Sequence, residues 1–75
     1  MISKFEHGKV YEHVTGNDLN ILVTSVAEED DVETLLTIVY INRRNNEMIS
    51  TMDGPIVEEV RILKVDMKNW SECME

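Results

Sequence analysis

Two long runs of strand-forming residues, joined by a short acidic connection, constrain the fold of this chain more than any other feature. The first run covers residues 19–27 and the second covers residues 33–43, and β-branched side chains dominate both. The residues between them are mostly Glu and Asp. This pattern predicts a β-hairpin and places the chain in the all-β class.

The second run is apolar on both faces of the predicted strand. Alternate residues of a strand share a face. One face carries Leu35, Val39 and Ile41, and the other carries Leu36, Ile38 and Tyr40. An open sheet with one solvated face would be polar on that face. We therefore expect either a small barrel whose outer face is covered by loops or chain ends, or a partner subunit over the sheet.

The rest of the sequence supplies shorter elements in a recognisable order. We predict a first strand over residues 9–15, a turn at 16–18, an irregular stretch over 45–55 and a fourth strand over 56–63. The apolar phase changes after Ile62, which indicates a bulge or the end of the strand. Asp66 is a candidate N-cap for a helical turn over 67–69, and residues 70–74 form a short last strand. This order predicts an SH3-like barrel of about five antiparallel strands, with Trp70 plugging its end.

The length of the chain limits what its core can do. Its 75 residues allow one domain, over residues 1–75, that buries only about 60% of its unfolded surface. The single Cys73 cannot form an internal disulfide. Because small folds without staples gain stability by association, we expect a homo-oligomer.

Composition also excludes several partners. The chain has 7 basic and 15 acidic residues, a net charge of −8. Nucleic acids and anionic membranes bind clustered Lys and Arg, so we expect neither as a direct partner. The lack of a disulfide framework and of a signal-peptide apolar core predicts a cytoplasmic protein.

Two short motifs resemble those of a known group of proteins. The opening motif reads Phe5-x-x-Gly8-x-Val10-Tyr11-x-His13. The closing motif reads Asp66-Met-Lys-Asn-Trp-Ser71. Both are similar to small uncharacterised accessory proteins of tailed bacteriophages. The resemblance implies a viral protein made in an infected bacterium, in the host cytoplasm, that acts on host machinery or host defence.

The residues capable of catalysis or metal binding are few. Cys73 with His7 and His13 is the only nucleophile-and-base set, and the acidic neighbours of Cys73 would raise the pKa of its thiol. The two histidines lie six positions apart without a Cys pair, which is not the spacing of a zinc site. We expect no enzyme, no metal and no cofactor, and the roles of these three residues stay open.

The acidic run is the first candidate binding site. It consists of Glu28, Glu29, Asp30, Asp31 and Glu33. It lacks the alternate-ligand spacing and central Gly of an EF-hand loop. The run is either a solvated hairpin tip or a patch that docks on a basic surface of a host protein.

The Arg43–Arg44 pair is the second candidate site. One interpretation is that the two arginines protect the strand end from pairing with other strands. The other is that one of them makes a bidentate hydrogen bond to a phosphate. Repeated around a homo-oligomer, such arginines could form an anion pocket with Tyr11, Tyr40 or Trp70 stacking on a base.

Two functions of different class follow from these sites. The first is a non-enzymatic binding protein that inhibits or redirects a host protein through the acidic hairpin or the apolar sheet face. The alternative is a homo-oligomeric sponge that sequesters a nucleotide-type defence signal through Arg43 and Arg44. A structural module without a ligand is the third interpretation.

Overall fold

A computed structural model describes residues 2–15 and 18–73 and contains eight strands and one 3₁₀ helix over these residues. The first three predicted strands are present as β1, β2 and β3, which cover Val10–His13, Leu19–Glu29 and Glu33–Asn42. Three two-residue strands follow: β4, Glu47–Met48; β5, Ser50–Thr51; and β6, Gly54–Pro55. Strand β7 is Val57–Leu63, the 3₁₀ helix is Lys64–Asn69, and β8 is Trp70–Glu72. The all-β class and the helical turn before the last strand are confirmed.

The main sheet is antiparallel, and its strands lie in the order β8, β1, β2 and β3, with β7 and β4 sharing the far edge of β3. Strand β7 pairs with residues 33–39 of β3, and β4 pairs with residues 41–42. Within the described residues, β7 and β8 have no strand on their outer edges. The sheet therefore does not close into the barrel that the sequence suggested, although its strands follow the predicted order.

The β2–β3 hairpin is the longest pairing in the sheet. Strand β2 runs two residues further than predicted, to Glu29. Its register against β3 shifts between Val23 and Ser25 and again between Val26 and Glu28. Such bulges bend a strand and increase its twist. Two of them in one strand curve the sheet around its apolar face, and they leave the acidic end of the hairpin exposed.

The core lies on one face of the sheet. It is formed by Phe5, Tyr11, Ile21, Val23, Leu36, Ile38, Ile62 and Met67. Phe5 precedes β1 and packs edge-on against Tyr11, with 4.8 Å between ring centroids. Met67 reaches this core from the 3₁₀ helix and is 5% exposed, whereas Trp70 is only partly buried. Met67 is therefore the buried side chain that the 3₁₀ helix contributes, and Trp70, the predicted plug, packs against the same core.

The opposite face carries a second apolar row. The register places Val10, Leu22, Val39 and Val57 side by side on four neighbouring strands. Val39 and its neighbour Ile41 are buried within the chain, while Val57 at the edge is 60% exposed. Val39 and Ile41 on the outer face of β3 are thus covered in cis, and Val57 is an exposed apolar residue at the β7 edge.

The 3₁₀ helix begins earlier than predicted. It starts at Lys64 directly after β7, so the change of apolar phase after Ile62 marks a strand end. Its N-cap residue is Leu63, which makes no capping hydrogen bond through its side chain. Asp66 lies inside the helix, so the prediction of Asp66 as N-cap was wrong.

The irregular stretch between β3 and β7 forms a small hairpin. Strands β5 and β6 pair Ser50 with Pro55 and Thr51 with Gly54. The turn between them lies at Met52 and Asp53, and Gly54, the first residue of β6, has a φ of 114°, a conformation that only glycine adopts easily. Two other predictions fall partly outside the described residues: the turn at 16–18 and the end of the last strand at 74.

Candidate functional site

The unclosed seam between β7 and β8 leaves a groove, which we call the concave groove. It is a cavity of about 720 Å³ on the core face of the sheet, within the size range of small-molecule and side-chain binding sites. Strand β3 forms its floor, β7 forms one wall, and the 3₁₀ helix and Trp70 form the other. The apolar residues that line it are Ile21, Ile38, Val60, Ile62, Leu63 and Val65.

Two aromatic side chains lie in the concave groove. The hydroxyl of Tyr40 donates a hydrogen bond to Glu58 Oε2 at 2.8 Å. This bond to a carboxylate, together with burial, raises the pKa of Tyr40. Trp70 lies across the groove and packs edge-on against Phe5 and His13, at centroid distances of 5.7 and 4.8 Å.

Asp66 organises the helical wall of the groove. Its Oδ1 accepts a hydrogen bond from Asn69 Nδ2 at 2.7 Å, and its Oδ2 accepts one from Trp70 Nε1 at 3.2 Å. His13 Nε2 lies 3.4 Å from the same Oδ2. The hydrogen bond from Asn69 is the main reason that the pKa of Asp66 lies below its usual value, with smaller contributions from Trp70 and His13. The carboxylate therefore fixes the indole ring in one orientation.

A short polar chain continues from Asp66 away from the groove. The backbone N–H of Thr15 donates a hydrogen bond to His13 Nδ1 at 3.2 Å, and His13 Nε2 faces Asp66. Thr15 Oγ1 lies 2.8 Å from the same Nδ1. The order Thr, His, Asp resembles a hydrolytic relay, but the hollow beside His13 measures only about 180 Å³. That volume is below the range of substrate sites.

The charged groups around the groove are mostly paired. Arg61 Nη1 lies 2.5 Å from Glu33 Oε1, and Lys64 Nζ lies 3.4 Å from Glu29 Oε1. These two pairs connect the acidic end of the β2–β3 hairpin to the groove wall. Lys68, which also lines the groove, is exposed.

The five acidic residues predicted as a docking patch have different roles. Glu29 and Glu33 form the ion pairs described above. Asp30 Oδ1 accepts hydrogen bonds from the backbone N–H groups of Val32 and Glu33, both at 2.8 Å, and these bonds lower the pKa of Asp30. Asp30 therefore shapes the turn. Glu28 and Asp31 are exposed and have no side-chain partner within residues 2–15 and 18–73.

The residues of the predicted anion site do not come together. Tyr11 is 1% exposed, and its hydroxyl accepts a hydrogen bond from the Glu6 backbone N–H, so it cannot stack on a ligand. Arg43 Nε donates to Asn20 Oδ1 at 3.1 Å, and its Nη2 lies 3.6 Å from Glu12 Oε2. Arg44 lies exposed in the turn after β3. Of the five residues, only Tyr40 and Trp70 share a site, and that site is the concave groove.

Cys73 contacts Asn20, the same side chain that accepts a hydrogen bond from Arg43. Asn20 Nδ2 donates to Cys73 Sγ at 3.4 Å, and burial raises the pKa of the Cys73 thiol. In the part of the chain that the structure describes, no group of three or more His, Cys, Asp or Glu side chains could hold a metal ion. The same residues contain no helix of the length and apolarity that a membrane span requires.

Most groove residues were missed at the sequence level. Arg61 and Val65 belong to no motif, and the closing motif that contains Lys68 and Asn69 gave them no binding role. These residues reach one site only because the chain changes direction between β7 and the 3₁₀ helix. The phase change after Ile62 was the signal of that change of direction. Comparisons of the chain with protein-family models, curated proteins and solved structures found no match.

Proposed function

We propose that this chain is a non-enzymatic binding protein that holds an apolar side chain of a partner protein in the concave groove. The observation that carries the proposal is the groove itself, a cavity of about 720 Å³ with aliphatic walls and two aromatic side chains. Protein interfaces concentrate their binding energy where an anchor side chain enters such a desolvated pocket.

The charge of the chain supports a basic partner. The whole chain carries a net charge of −8. Asp66 lines the groove and Glu58 accepts a hydrogen bond from Tyr40 of its lining, while the lining cations are Lys68 and Arg61, which is paired with Glu33. We therefore expect the anchor to be an aliphatic residue flanked by Lys or Arg. Glu28 and Asp31, which are exposed on the nearby hairpin, attract such a partner before contact and raise the association rate.

The biological setting of the proposal comes from the two terminal motifs. Their resemblance to accessory proteins of tailed bacteriophages supports a host protein as the partner, in the cytoplasm of an infected bacterium. Inhibition or redirection of a host protein, including one used in defence, needs only a stable complex. It does not need catalysis.

A sharp test uses Val65, which lines the groove and is 75% exposed, so that a charge there leaves the fold intact. Val65→Arg should block the groove and repel a basic partner. Val14→Arg is the matched control, because Val14 is similarly exposed and lies outside the groove. We expect at least a tenfold loss of affinity for Val65→Arg and a change of less than twofold for Val14→Arg.

The measurement compares both variants with the parent protein, immobilised and exposed to bacterial lysate, by quantitative mass spectrometry. A partner retained by the parent and by Val14→Arg, and lost by Val65→Arg, supports the proposal. Equal retention by all three proteins would show that binding does not use the groove.

The alternative of a nucleotide-type sponge stays a proposal with weaker support. It requires a free guanidinium at Arg43 or Arg44. Arg43 instead contacts Asn20 and Glu12, whereas Arg44 is exposed in the turn after β3. A native mass spectrum of protein purified from bacterial cytoplasm tests it directly. An adduct of nucleotide mass that Arg43→Ala and Arg44→Ala both abolish would favour the sponge over the protein-binding function.

A further inference from the structure

The free edge of β7 is complementary to itself. We infer that two copies of this chain associate through an antiparallel β7–β7 pairing, with the two Val60 residues facing each other on a two-fold axis. The pairing uses Val60, Arg61 and Leu63, which also line the concave groove. It follows from the backbone, the charges and the exposed apolar residues of one strand.

Along β7, alternate residues direct their backbone N–H and C=O groups to β3, and the residues between them direct these groups away from β3. Lys64 N donates to Val32 O at 2.8 Å, and this bond continues the β3–β7 ladder. In an antiparallel ladder, alternate residues direct both N–H and C=O to the same neighbour. Even-numbered residues of β7 therefore bond to β3, and the odd-numbered residues 57, 59, 61 and 63 direct their groups to the free edge. No Pro interrupts residues 57–63.

The side chains of the same odd-numbered residues match in one register. When Val60 faces Val60 of the second copy, Glu59 lies opposite Arg61 of that copy and Arg61 lies opposite its Glu59. Opposite charges that face each other across two strands stabilise the pairing. Arg61 keeps its contact with Glu33, so each guanidinium then lies between two carboxylates.

The apolar residues at the ends of β7 match in that register as well. Val57 is 60% exposed and Leu63 is 49% exposed, and each lies opposite the other residue in the second copy. Pairing removes both from water. Glu58 on the opposite face is hydrogen-bonded to Tyr40 and is therefore drawn back onto its own sheet.

Other registers are unfavourable. A slide of two residues, the smallest that keeps the same side chains on the same face, places either Glu59 or Arg61 opposite its own copy. Like charges in that position destabilise a strand pair. The strand β8 offers no comparable surface, because it has only three residues.

The decisive experiment uses charge reversal in Glu59→Arg and Arg61→Glu, with the molecular mass measured by sedimentation equilibrium over a range of concentrations. The parent should form a dimer of twice 8.7 kDa. In the homodimer of each single variant, residues 59 and 61 of opposite copies carry like charges at both places where they meet. We therefore expect a dissociation constant at least about tenfold higher than that of the parent. An equimolar mixture of the two variants restores both opposite-charge pairs and should dimerise like the parent.

Two controls separate association from folding. Thermal unfolding should show a folded monomer for each variant, and Asp53→Lys, at the tip of the β5–β6 hairpin, should dimerise like the parent. Amide hydrogen exchange checks the register, because dimerisation should slow exchange at Glu59 and Arg61 and leave the already bonded Val60 and Ile62 unchanged. A parent that stays monomeric, single variants that still dimerise, or a mixture that does not associate would each overturn the inference.

Discussion

At the scale of single residues, the structure assigns unequal roles to side chains that look alike in the sequence. Thr24 and Thr34 are both threonines of the long hairpin. Thr24 Oγ1 donates to the Thr37 carbonyl at 2.9 Å. Thr34 is 1% exposed, and its Oγ1 has no hydrogen-bond partner among the residues that the structure describes. A buried hydroxyl without a partner costs free energy because it loses its contact with water.

We predict that Thr34→Val stabilises the protein. Val has nearly the shape of Thr, suits a strand, and removes the unsatisfied hydroxyl, so the free energy of unfolding should rise by about 1–2 kcal/mol. In a domain of this size each kcal/mol raises Tm by about 4–8 °C. Thr24→Val is the control, and it should lower stability by about 1 kcal/mol because it removes a made hydrogen bond. Calorimetry of the two variants checks both signs, and a less stable Thr34→Val would contradict the assignment.

The same scale shows what the sequence could not reveal. Strand alternation places Tyr11 and Val10 of β1 on opposite faces, but only the pairing of Tyr11 with Ile21 shows which face is buried. Arg43 looked like a free cation because its partners Glu12 and Asn20 lie on other strands. Strand periodicity is local, whereas burial and ion pairing depend on contacts between distant segments.

At the scale of elements, the carboxylate of Asp66 stabilises the connection from β7 through the 3₁₀ helix to β8. Asp66 joins the 3₁₀ helix to Trp70 of β8 and to His13 of β1. These bonds favour the ionised form, so the pKa of Asp66 is lower in the folded protein than in the unfolded chain. The stabilisation is present above the ordinary Asp pKa and is lost as the pH falls through the lowered value.

We predict that Asp66→Asn lowers the free energy of unfolding at neutral pH and that this difference from the parent disappears in acid. At pH 7 the variant should be less stable than the parent by at most about 1 kcal/mol, because the carboxylate is partly exposed. The difference should shrink as the pH falls below about 4, where the carboxyl of the unfolded parent chain becomes protonated, and it should disappear once the folded-state carboxyl, with its lowered pKa, is protonated as well. Urea unfolding between pH 7 and pH 2 measures the difference. Asp31→Asn is the control with no expected effect, and a difference that persists at pH 2 would contradict the role of the charge.

The elements themselves were predictable to different degrees. The two long strands and the end of β7 followed from β-branched residues and apolar phase, which are local signals. The second bulge in β2 was not predictable from sequence, because a bulge depends on how the partner strand accommodates the extra residue. The concave groove was missed for a related reason, since it exists only where β7 and β8 fail to meet.

At the scale of the whole molecule, β3 is the centre of the sheet. It pairs with β2 on one side and with β7 and β4 on the other. Strand β8, by contrast, is attached to the sheet through three residue pairs with β1. Local opening requires less free energy where fewer contacts are lost, so stability should fall from β3 outwards.

We predict that amide hydrogen exchange follows this order. The β3 amides of Leu36 and Ile38 should exchange the slowest, at rates set by global unfolding, and those of β8 should exchange at least about tenfold faster. Two-dimensional NMR after transfer into deuterated water measures the rates for each amide. Equal protection of β3 and β8 would show that the sheet opens only as one unit.

The pairing of β1 with β8 also has a consequence for biosynthesis. These strands lie near opposite ends of the described chain. The edge of β1 at Tyr11 is covered only after Glu72 of β8 has been synthesised and has paired with it. While the chain is being translated, β2 and β3 can form their hairpin early, but β1 keeps one bare side until the last strand has left the ribosome. Until β8 is available, the nascent chain therefore presents an unpaired, aggregation-prone strand edge at the strand that bears its opening motif.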